Sequence, residues 1–148
     1  ILSNGKTFSC DIDEIYDDFS SADLIVAHNV KFDINFMIAE FCYQDRRFRY
    51  KQEFDTMKFF TNIMKLPREN HAGYKYPKLS ELIEFLDIYP YDVTRKTVEL
   101  FSVLDVGGHD ARYDTAALYL AFNEGAKRIG DLAEIKEKYL RSVAGDDE

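Results

Sequence analysis

Cysteine is scarce in this sequence, and long apolar runs are missing. The 148 residues include two cysteines, Cys10 and Cys42, which we interpret as reduced residues of a core or a strand rather than a disulfide. No apolar stretch approaches the roughly eighteen residues of a membrane span, and the opening residues, ILSNGKTF, do not resemble a secretory signal. We therefore expect a soluble, cytoplasmic protein without a membrane partner.

Basic residues are also in deficit. The chain carries 19 lysines and arginines against 27 aspartates and glutamates, which gives a formal net charge of −8. A protein that grips long duplex nucleic acid through its phosphates needs a broad basic surface, so this class is disfavoured. The acidity does not exclude a nucleic-acid enzyme that holds only a strand end through metal ions.

What the sequence does contain is enough apolar material for one core. Hydrophobic residues make up 46% of the chain and aromatic residues 15%. A chain of this length supports one globular domain and is too short for two. We therefore expect a single domain over residues 1–148.

Predicted strands and helices alternate along the chain, which indicates an α/β fold. Asn4-Gly5 predicts a hairpin turn between strands at 1–3 and 6–10. Hydrophobic periodicity and end signals then predict helices at 13–20, 31–43, 56–64, 79–86, 94–104 and 110–128, strands at 24–27 and 49–54, a loop at 66–77 and a charged tail. Asp55 is expected to cap the helix that runs to Met64. The core side of helix 31–43 is expected to contain Phe32, Phe36, Ile38, Phe41 and Cys42.

Polar side chains gather where the strand at 24–27 gives way to a helix. The sequence there reads AHNVKFD and contains His28, Asn29 and Asp33. In open α/β sheets, ligands bind at the carboxyl ends of the strands, which is where Asp33 falls. We expect His28 to secure the strand end by hydrogen bonds and Asn29 to cap the helix.

A second polar group, His109 with Asp114, opens the helix at 110–128. Five residues at about 100° each would separate the two side chains by roughly 140° on one helix, so they would not share a ligand. Gly107-Gly108 allows the backbone to turn before His109 and to swing the imidazole toward Asp114. We expect Asp114 to face inward and Asp110 to cap the helix.

Two motifs in this order resemble a known enzyme family. VAHNVKFDINF is similar to the second motif, and HDARYD to the third, of the DEDDh 3′-to-5′ exonucleases, the family of the proofreading epsilon subunit of bacterial DNA polymerase III. FDTMKFF and YPKLSEL also resemble the segments that connect those motifs. The resemblance implies a ribonuclease-H-like mixed sheet flanked by helices.

The resemblance also implies roles for individual residues. Asp33 and Asp114 would bind two Mg²⁺ or Mn²⁺ ions, and His109 would be the general base. Two divalent ions stabilise the attacking and leaving oxygens of a phosphodiester, and hard ions prefer carboxylate ligands. His28, Asn29 and Phe32 are candidates for substrate contacts.

One part of the family pattern is absent. The first motif, Asp-x-Glu on the first strand, supplies two of the four carboxylates and has no counterpart here. Asp11-Ile12-Asp13-Glu14 lies too close to Asp33 for the intervening hairpin and is interpreted as the entry to a helix. We therefore expect an N-terminally incomplete domain that lacks its first strand and, as it stands, binds metal weakly and hydrolyses nucleic acid poorly or not at all.

Aromatic residues alternate with basic ones in two stretches, and each stretch is a candidate surface for nucleic acid. Residues 46–51, RRFRYK, and residues 74–78, YKYPK, would suit a phosphate backbone with stacked bases. For residues 46–51 we favour a solvated strand edge. The choice stays open for the loop.

The preferred interpretation is a proofreading exonuclease domain that acts on a single-stranded 3′ end of DNA, with RNA trimming as the near alternative and a DNA polymerase subunit as a possible partner. The alternative from another class is a non-catalytic module that keeps the exonuclease fold and binds a polymerase or another protein.

Overall fold

A computed structural model describes residues 7–103 and 110–144 of the chain, with side chains as far as Tyr139. The chain divides into two compact units, Ile1–Asp55 and Thr56–Glu148, here called the first and second units. The described ranges form seven α-helices, one short 3₁₀ helix and a sheet of two parallel strands. The α/β prediction is confirmed in this coarse form, although helix predominates. None of the helices in these ranges is long and apolar enough to cross a membrane.

The described part of the first unit is a small α/β arrangement. Strand β1 pairs with β2 in parallel, in the register Ile25 to Glu53 and Ala27 to Asp55. Parallel neighbours need a crossover connection, and α2 lies between the two strands in the chain. The elements are a 3₁₀ helix at Phe8–Cys10, α1 at Ile12–Ser21, β1 at Ile25–Ala27, α2 at Val30–Tyr43 and β2 at Glu53–Asp55.

Aromatic rings fill the core of the first unit. Phe41 is fully buried, meets Phe8 edge-on with ring centroids 5.5 Å apart, and lies 5.3 Å from the Phe48 ring. Phe48 also meets Phe19 of α1 at 5.2 Å. Such tilted and edge-on pairs are favourable beyond the area that they bury, so this cluster stabilises the unit.

The face of α2 that is buried differs from the predicted one. Phe32, Phe36 and Ile38 are 68%, 56% and 47% exposed, and Cys42 is exposed too. The buried positions are Val30, Ile34 and Phe41, so among the predicted core residues Phe41 is confirmed. The helix is apolar on nearly all sides, so hydrophobic periodicity alone does not identify the core side.

Three further predictions for the first unit need correction. The Asn4-Gly5 hairpin lies outside the described residues, but Phe8–Cys10, predicted as its second strand, is a 3₁₀ helix. The strand predicted at 49–54 is confined to Glu53–Asp55. Both cysteines are free, but Cys10, like Cys42, is exposed rather than part of a core.

The described part of the second unit consists of helices joined by loops. Pro90 occupies the first turn of α5, where its missing N–H costs nothing, and α6 begins after the cap Asp110. The helices are α3 at Thr56–Met64, α4 at Leu79–Phe85, α5 at Pro90–Phe101, α6 at Ala111–Arg128 and α7 at Gly130–Ala144.

Small residues let the helices of the second unit approach closely. Ala116, Ala117, Ala121 and Gly125 make up the buried side of α6. A Cβ atom added to Gly125 would lie 2.8 Å from Leu132 Cδ2 and 2.9 Å from Phe60 Cζ, and both of those side chains are fully buried. Any larger residue at position 125 would therefore force these two buried side chains to move.

Most predicted elements of the second unit are confirmed. The loop at 66–77 is present with one antiparallel bridge, between Pro67 and Tyr74. The helix predicted at 94–104 begins earlier, at Pro90. The charged tail was predicted wrongly, since most of it forms α7 and buries Leu132. Leu132, Ile135 and Tyr139 have the spacing of one helix face, but the many charged residues between them made this pattern hard to recognise in the sequence.

Candidate functional site

The ends of both strands lie at one edge of the sheet in the first unit. Ala27, the last residue of β1, is paired with Asp55, the last residue of β2. His28 and Asn29 follow β1 directly, and α2 then begins at Val30. The prediction that Asp33 follows the carboxyl end of a strand is thus confirmed, but of that strand only Ala27 is buried.

Asn29 forms the turn from β1 into α2. Its backbone is left-handed, with φ 73°, a conformation in which asparagine is one of the best-tolerated residues other than glycine. It occupies the cap position, but its side chain makes no capping hydrogen bond, so that prediction is wrong. Instead, its backbone N–H donates to Asp55 Oδ1 at 3.1 Å. His28 is half-buried, and its bonding role stays a prediction.

Asp33 lies in the first turn of α2 and is exposed. The atoms around its carboxylate exclude enough water to raise the pKa of Asp33 above its usual value. A backbone hydrogen bond opposes this rise in the pKa, and the negative charge of Asp55 adds to it. A cation beside these two carboxylates would reverse the effect of their repulsion on the pKa.

Phe32, the neighbouring substrate candidate, is accessible. Its ring is 68% exposed, while Val30 and Ile34 on either side of it are buried and anchor α2. An exposed ring held by a buried anchor suits the stacking of a base. The contact itself stays a prediction.

The start of α6 is organised by Asp110 and Arg112. Asp110 Oδ1 accepts from the Arg112 backbone N–H at 2.9 Å, which confirms the predicted cap. The Arg112 guanidinium donates to both oxygens of the same carboxylate, at 2.9 and 2.6 Å. These bonds lower the pKa of Asp110 to about 2, so its carboxylate is ionised at neutral pH.

Asp114 lies in the first turn of α6 and is exposed, so the expectation that it faces inward is wrong. The buried positions begin at Ala116 and Ala117, and two residues back along a helix is about 200° around it. His109 and Gly107-Gly108 lie outside the described residues, and the proposed swing of the imidazole is therefore still a prediction.

The structure brings together only part of the predicted site. Asp33 belongs to the first unit and Asp114 to the second, and their convergence stays a prediction. Within the described portion of each unit, no three histidine, cysteine, aspartate or glutamate side chains form a group that would hold a metal. The sequence reading missed Asp55 as a neighbour of Asp33. The signal was available, because Asp55 directly follows the strand predicted at 49–54, and parallel strands end at the same edge.

The basic stretch at 46–51 is used within the first unit. Arg46 pairs with Asp13 and lies over the Tyr16 ring, 5.3 Å from its centroid. Lys51 donates to the Ser21 carbonyl at 2.9 Å and to Asp23 at 2.7 Å. These contacts favour a structural role, although the stretch is irregular chain rather than the expected strand edge.

The loop before α4 keeps two exposed rings. Tyr74 is 44% and Tyr76 61% exposed, while Lys75 pairs with Glu81. The Lys78 backbone N–H donates to the other carboxylate oxygen of Glu81 at 2.8 Å. The rings remain available for stacking, but one of the loop's positive charges is already paired.

Comparisons with known proteins found no match to this chain among family models, curated proteins or solved structures.

Proposed function

We propose that this chain is a DEDDh-type 3′-to-5′ exonuclease domain with a ribonuclease-H-like fold, to which β1 and β2 contribute two strands of a larger mixed sheet. One structural observation carries the proposal. Asp33 stands in the first turn of the helix that follows a parallel strand, beside a second carboxylate and an exposed ring. This position supports the resemblance of HNVKFD to the second exonuclease motif.

The proposed roles follow from the chemistry of phosphodiester hydrolysis. Asp33 would hold one divalent cation and Asp114 the other, as Mg²⁺ or Mn²⁺, since hard ions favour carboxylate oxygens. Bound in this way, two such ions supply charge stabilisation for the attacking and leaving oxygens. His109 would accept the proton of the attacking water, because imidazole titrates near neutral pH.

The proposed substrate is a single-stranded 3′ end, of DNA first and RNA second. His28 and Asn29 line the turn before α2, and Phe32 would stack on the terminal base. The net charge of −8 fits an enzyme that holds one strand end through cations rather than a long duplex through lysines and arginines. A DNA polymerase subunit is the proposed partner.

The two aspartates offset only half of the charge that two divalent cations bring. The purified 148-residue chain should therefore bind Mn²⁺ weakly and cleave slowly or not at all. Metal-dependent cleavage of a labelled oligonucleotide by this chain would contradict the expected low activity. Loss of that cleavage in Asp114→Asn would support the assignment of Asp114 as a metal ligand.

A non-catalytic module with the same fold is the second candidate, and one observation favours it. The exposed side of α2 includes Phe36 and Tyr43, which lie seven residues apart on one face and are 56% and 85% exposed. Exposed apolar side chains on one helix are typical of a protein-binding surface. This candidate predicts no effect of Mn²⁺ at Asp33 or Asp114.

Paramagnetic broadening of amide signals by Mn²⁺ tests the convergence of the two aspartates. We expect added Mn²⁺ to broaden the amides around Asp33 and around Asp114 together, and Asp33→Asn or Asp114→Asn to weaken the broadening at both places. Asp17→Asn and Asp131→Asn are matched controls, because Asp17 is exposed on α1 and Asp131 is exposed in the first turn of α7. Broadening at one aspartate but not the other would refute the shared metal site.

A further inference from the structure

The strand-end turn that carries Asp33 is tied at two points. The Asn29 N–H donates to Asp55 Oδ1 at 3.1 Å, across 26 residues of chain. The Asn29 carbonyl accepts from the Phe32 N–H at 2.9 Å, inside the first turn of α2. One residue therefore joins the end of β2 to the start of the helix that presents Asp33.

Asp55 is suited to hold this junction. It is the last residue of β2, in register with Ala27, and its Oδ2 atom is buried. At the opposite end of the strand pair, the Ile25 N–H donates to the Gln52 carbonyl at 2.9 Å, so hydrogen bonds join the two strands at both ends. Because Asn29 has a left-handed backbone, a bond to its N–H selects a conformation that most residues avoid.

The geometry points to Asp55 as a positioning residue, which holds the β1–α2 turn through the Asn29 N–H and so fixes where Asp33 presents its carboxylate. The part of this inference that concerns metal binding rests on the proposed function. The part that concerns the turn does not. Asp55 itself is not assigned a metal or a substrate contact.

Two substitutions of Asp55 separate positioning from simple electrostatics. Asp55→Ala and Asp55→Asn remove the same negative charge beside Asp33, but only asparagine keeps an oxygen that accepts from the Asn29 N–H. Positioning predicts that Asp55→Asn binds Mn²⁺ several-fold more tightly than Asp55→Ala. Equal affinities of the two variants would mean that Asp55 acts through its charge alone, and the inference would be overturned.

The hydrogen-exchange rate of the Asn29 amide reports on the hydrogen bond to Asp55 in the absence of metal. Loss of a charge-assisted hydrogen bond in Asp55→Ala should speed this exchange about tenfold or more, and Asp55→Asn should give a smaller increase. The Phe41 amide, in the last part of α2, reports on whether the fold is intact. An unchanged Asn29 rate in a folded Asp55→Ala variant would overturn the inference.

The controls keep the two proposals apart. Glu53→Gln alters an exposed carboxylate of the same strand, bonded to Tyr50, and should change neither readout. If Mn²⁺ has no effect at Asp33 in the unaltered chain, the proposed function fails, and the Asn29 exchange still decides whether Asp55 holds the turn. If Asp55→Ala does not fold, the same decision comes from Asp55→Asn, which is nearly isosteric and should speed the exchange severalfold.

Discussion

The two units are packed in different ways, around the large ring of Phe41 in the first and against the small residue Gly125 in the second. Phe41 is enclosed by Phe8, Tyr16 and Phe48, whose ring centroids lie 5.3 to 6.1 Å away. Gly125 instead leaves room for Leu132 and Phe60 to come within van der Waals contact of α6. The first unit fills wide spaces with large side chains, while the second packs large side chains directly against the backbone of α6 at Gly125. Opposite changes should therefore destabilise the two units: loss of side-chain volume at Phe41 in the first, and gain of side-chain volume at Gly125 in the second.

Phe41→Ala should have the largest effect. Removing a fully buried ring leaves a cavity and should lower the free energy of unfolding by about 4 kcal/mol. Urea unfolding gives the size of the effect, and hydrogen exchange read separately in residues 7–55 and 56–144 locates it. Tyr43→Ala, on an 85% exposed ring of the same helix, should stay within about 0.5 kcal/mol.

Gly125→Val should be next, at about 3 kcal/mol, because the added methyl groups would overlap two fully buried side chains. The same urea and exchange measurements apply, with the loss of protection expected first in residues 56–144. Gly130→Val is the matched control, since a Cβ there meets no atom within 4 Å. A tolerated valine at 125 would show that the helices of the second unit are not held at that distance.

Arg46→Ala should destabilise the first unit by about 1 kcal/mol. The change removes an ion pair with Asp13 and the contacts of the guanidinium with the Tyr16 and Phe41 rings. Arg47→Ala, at the exposed next position, should be nearly neutral. Equal effects of the two substitutions in urea unfolding would contradict the assigned role of Arg46.

Asp110→Asn tests the electrostatics of the second unit, and a smaller effect is expected. The pKa of Asp110 is lowered to about 2 by its bonds to Arg112, so its contribution to stability is present above pH 5 and is lost as the pH falls toward 2. Asparagine caps helices well, so the backbone cap is kept, while the charge and the hydrogen bond from the Arg112 guanidinium to Oδ2 are removed. Melting temperatures should be lower than in the parent chain at pH 7, and the difference should shrink as the pH falls toward 2.

Asp33→Asn should have the smallest effect, with the opposite sign. Desolvation and the charge of Asp55 raise the pKa of Asp33, so its ionised form disfavours the folded state. The melting temperature of the variant should be slightly above that of the parent chain at pH 7. This difference should disappear at pH 3, where the parent carboxyl is protonated and therefore uncharged, like the asparagine side chain. A variant less stable than the parent chain at pH 7 would contradict a raised pKa of Asp33.

These two opposite shifts support different roles for the two aspartates. Asp110 is paired with Arg112 and stabilises the start of α6, as a structural cap does. Asp33 is kept near Asp55 at a cost in stability, which is typical of residues retained for binding or catalysis. The pair thus distinguishes a structural carboxylate from a candidate functional one without reference to any family.

Several parts of the fold were predictable because their signals are local. The periodicity of residues 12–21, the apolar content of residues 30–43, the short apolar strand before His28 and the Asp110 cap each depend on neighbours a few residues away. The misassigned elements lacked such a signal. Phe8–Cys10 follows a convincing hairpin sequence but forms a 3₁₀ turn, and the high charge of residues 130–144 concealed α7.

By itself, the sequence determined where most helices and the first strand lie, and it singled out Asp33, Asp110 and Asp114 as the polar residues at helix starts. Only the tertiary structure decided which side of α2 is buried, because a helix that is apolar on nearly all sides has no preferred face until its neighbours pack against it. Only the tertiary structure placed Asp55 against Asn29, and Gly125 against Phe60. Hydrogen bonds and packing contacts between residues distant in the chain depend on where the elements meet, and local preferences do not carry that information.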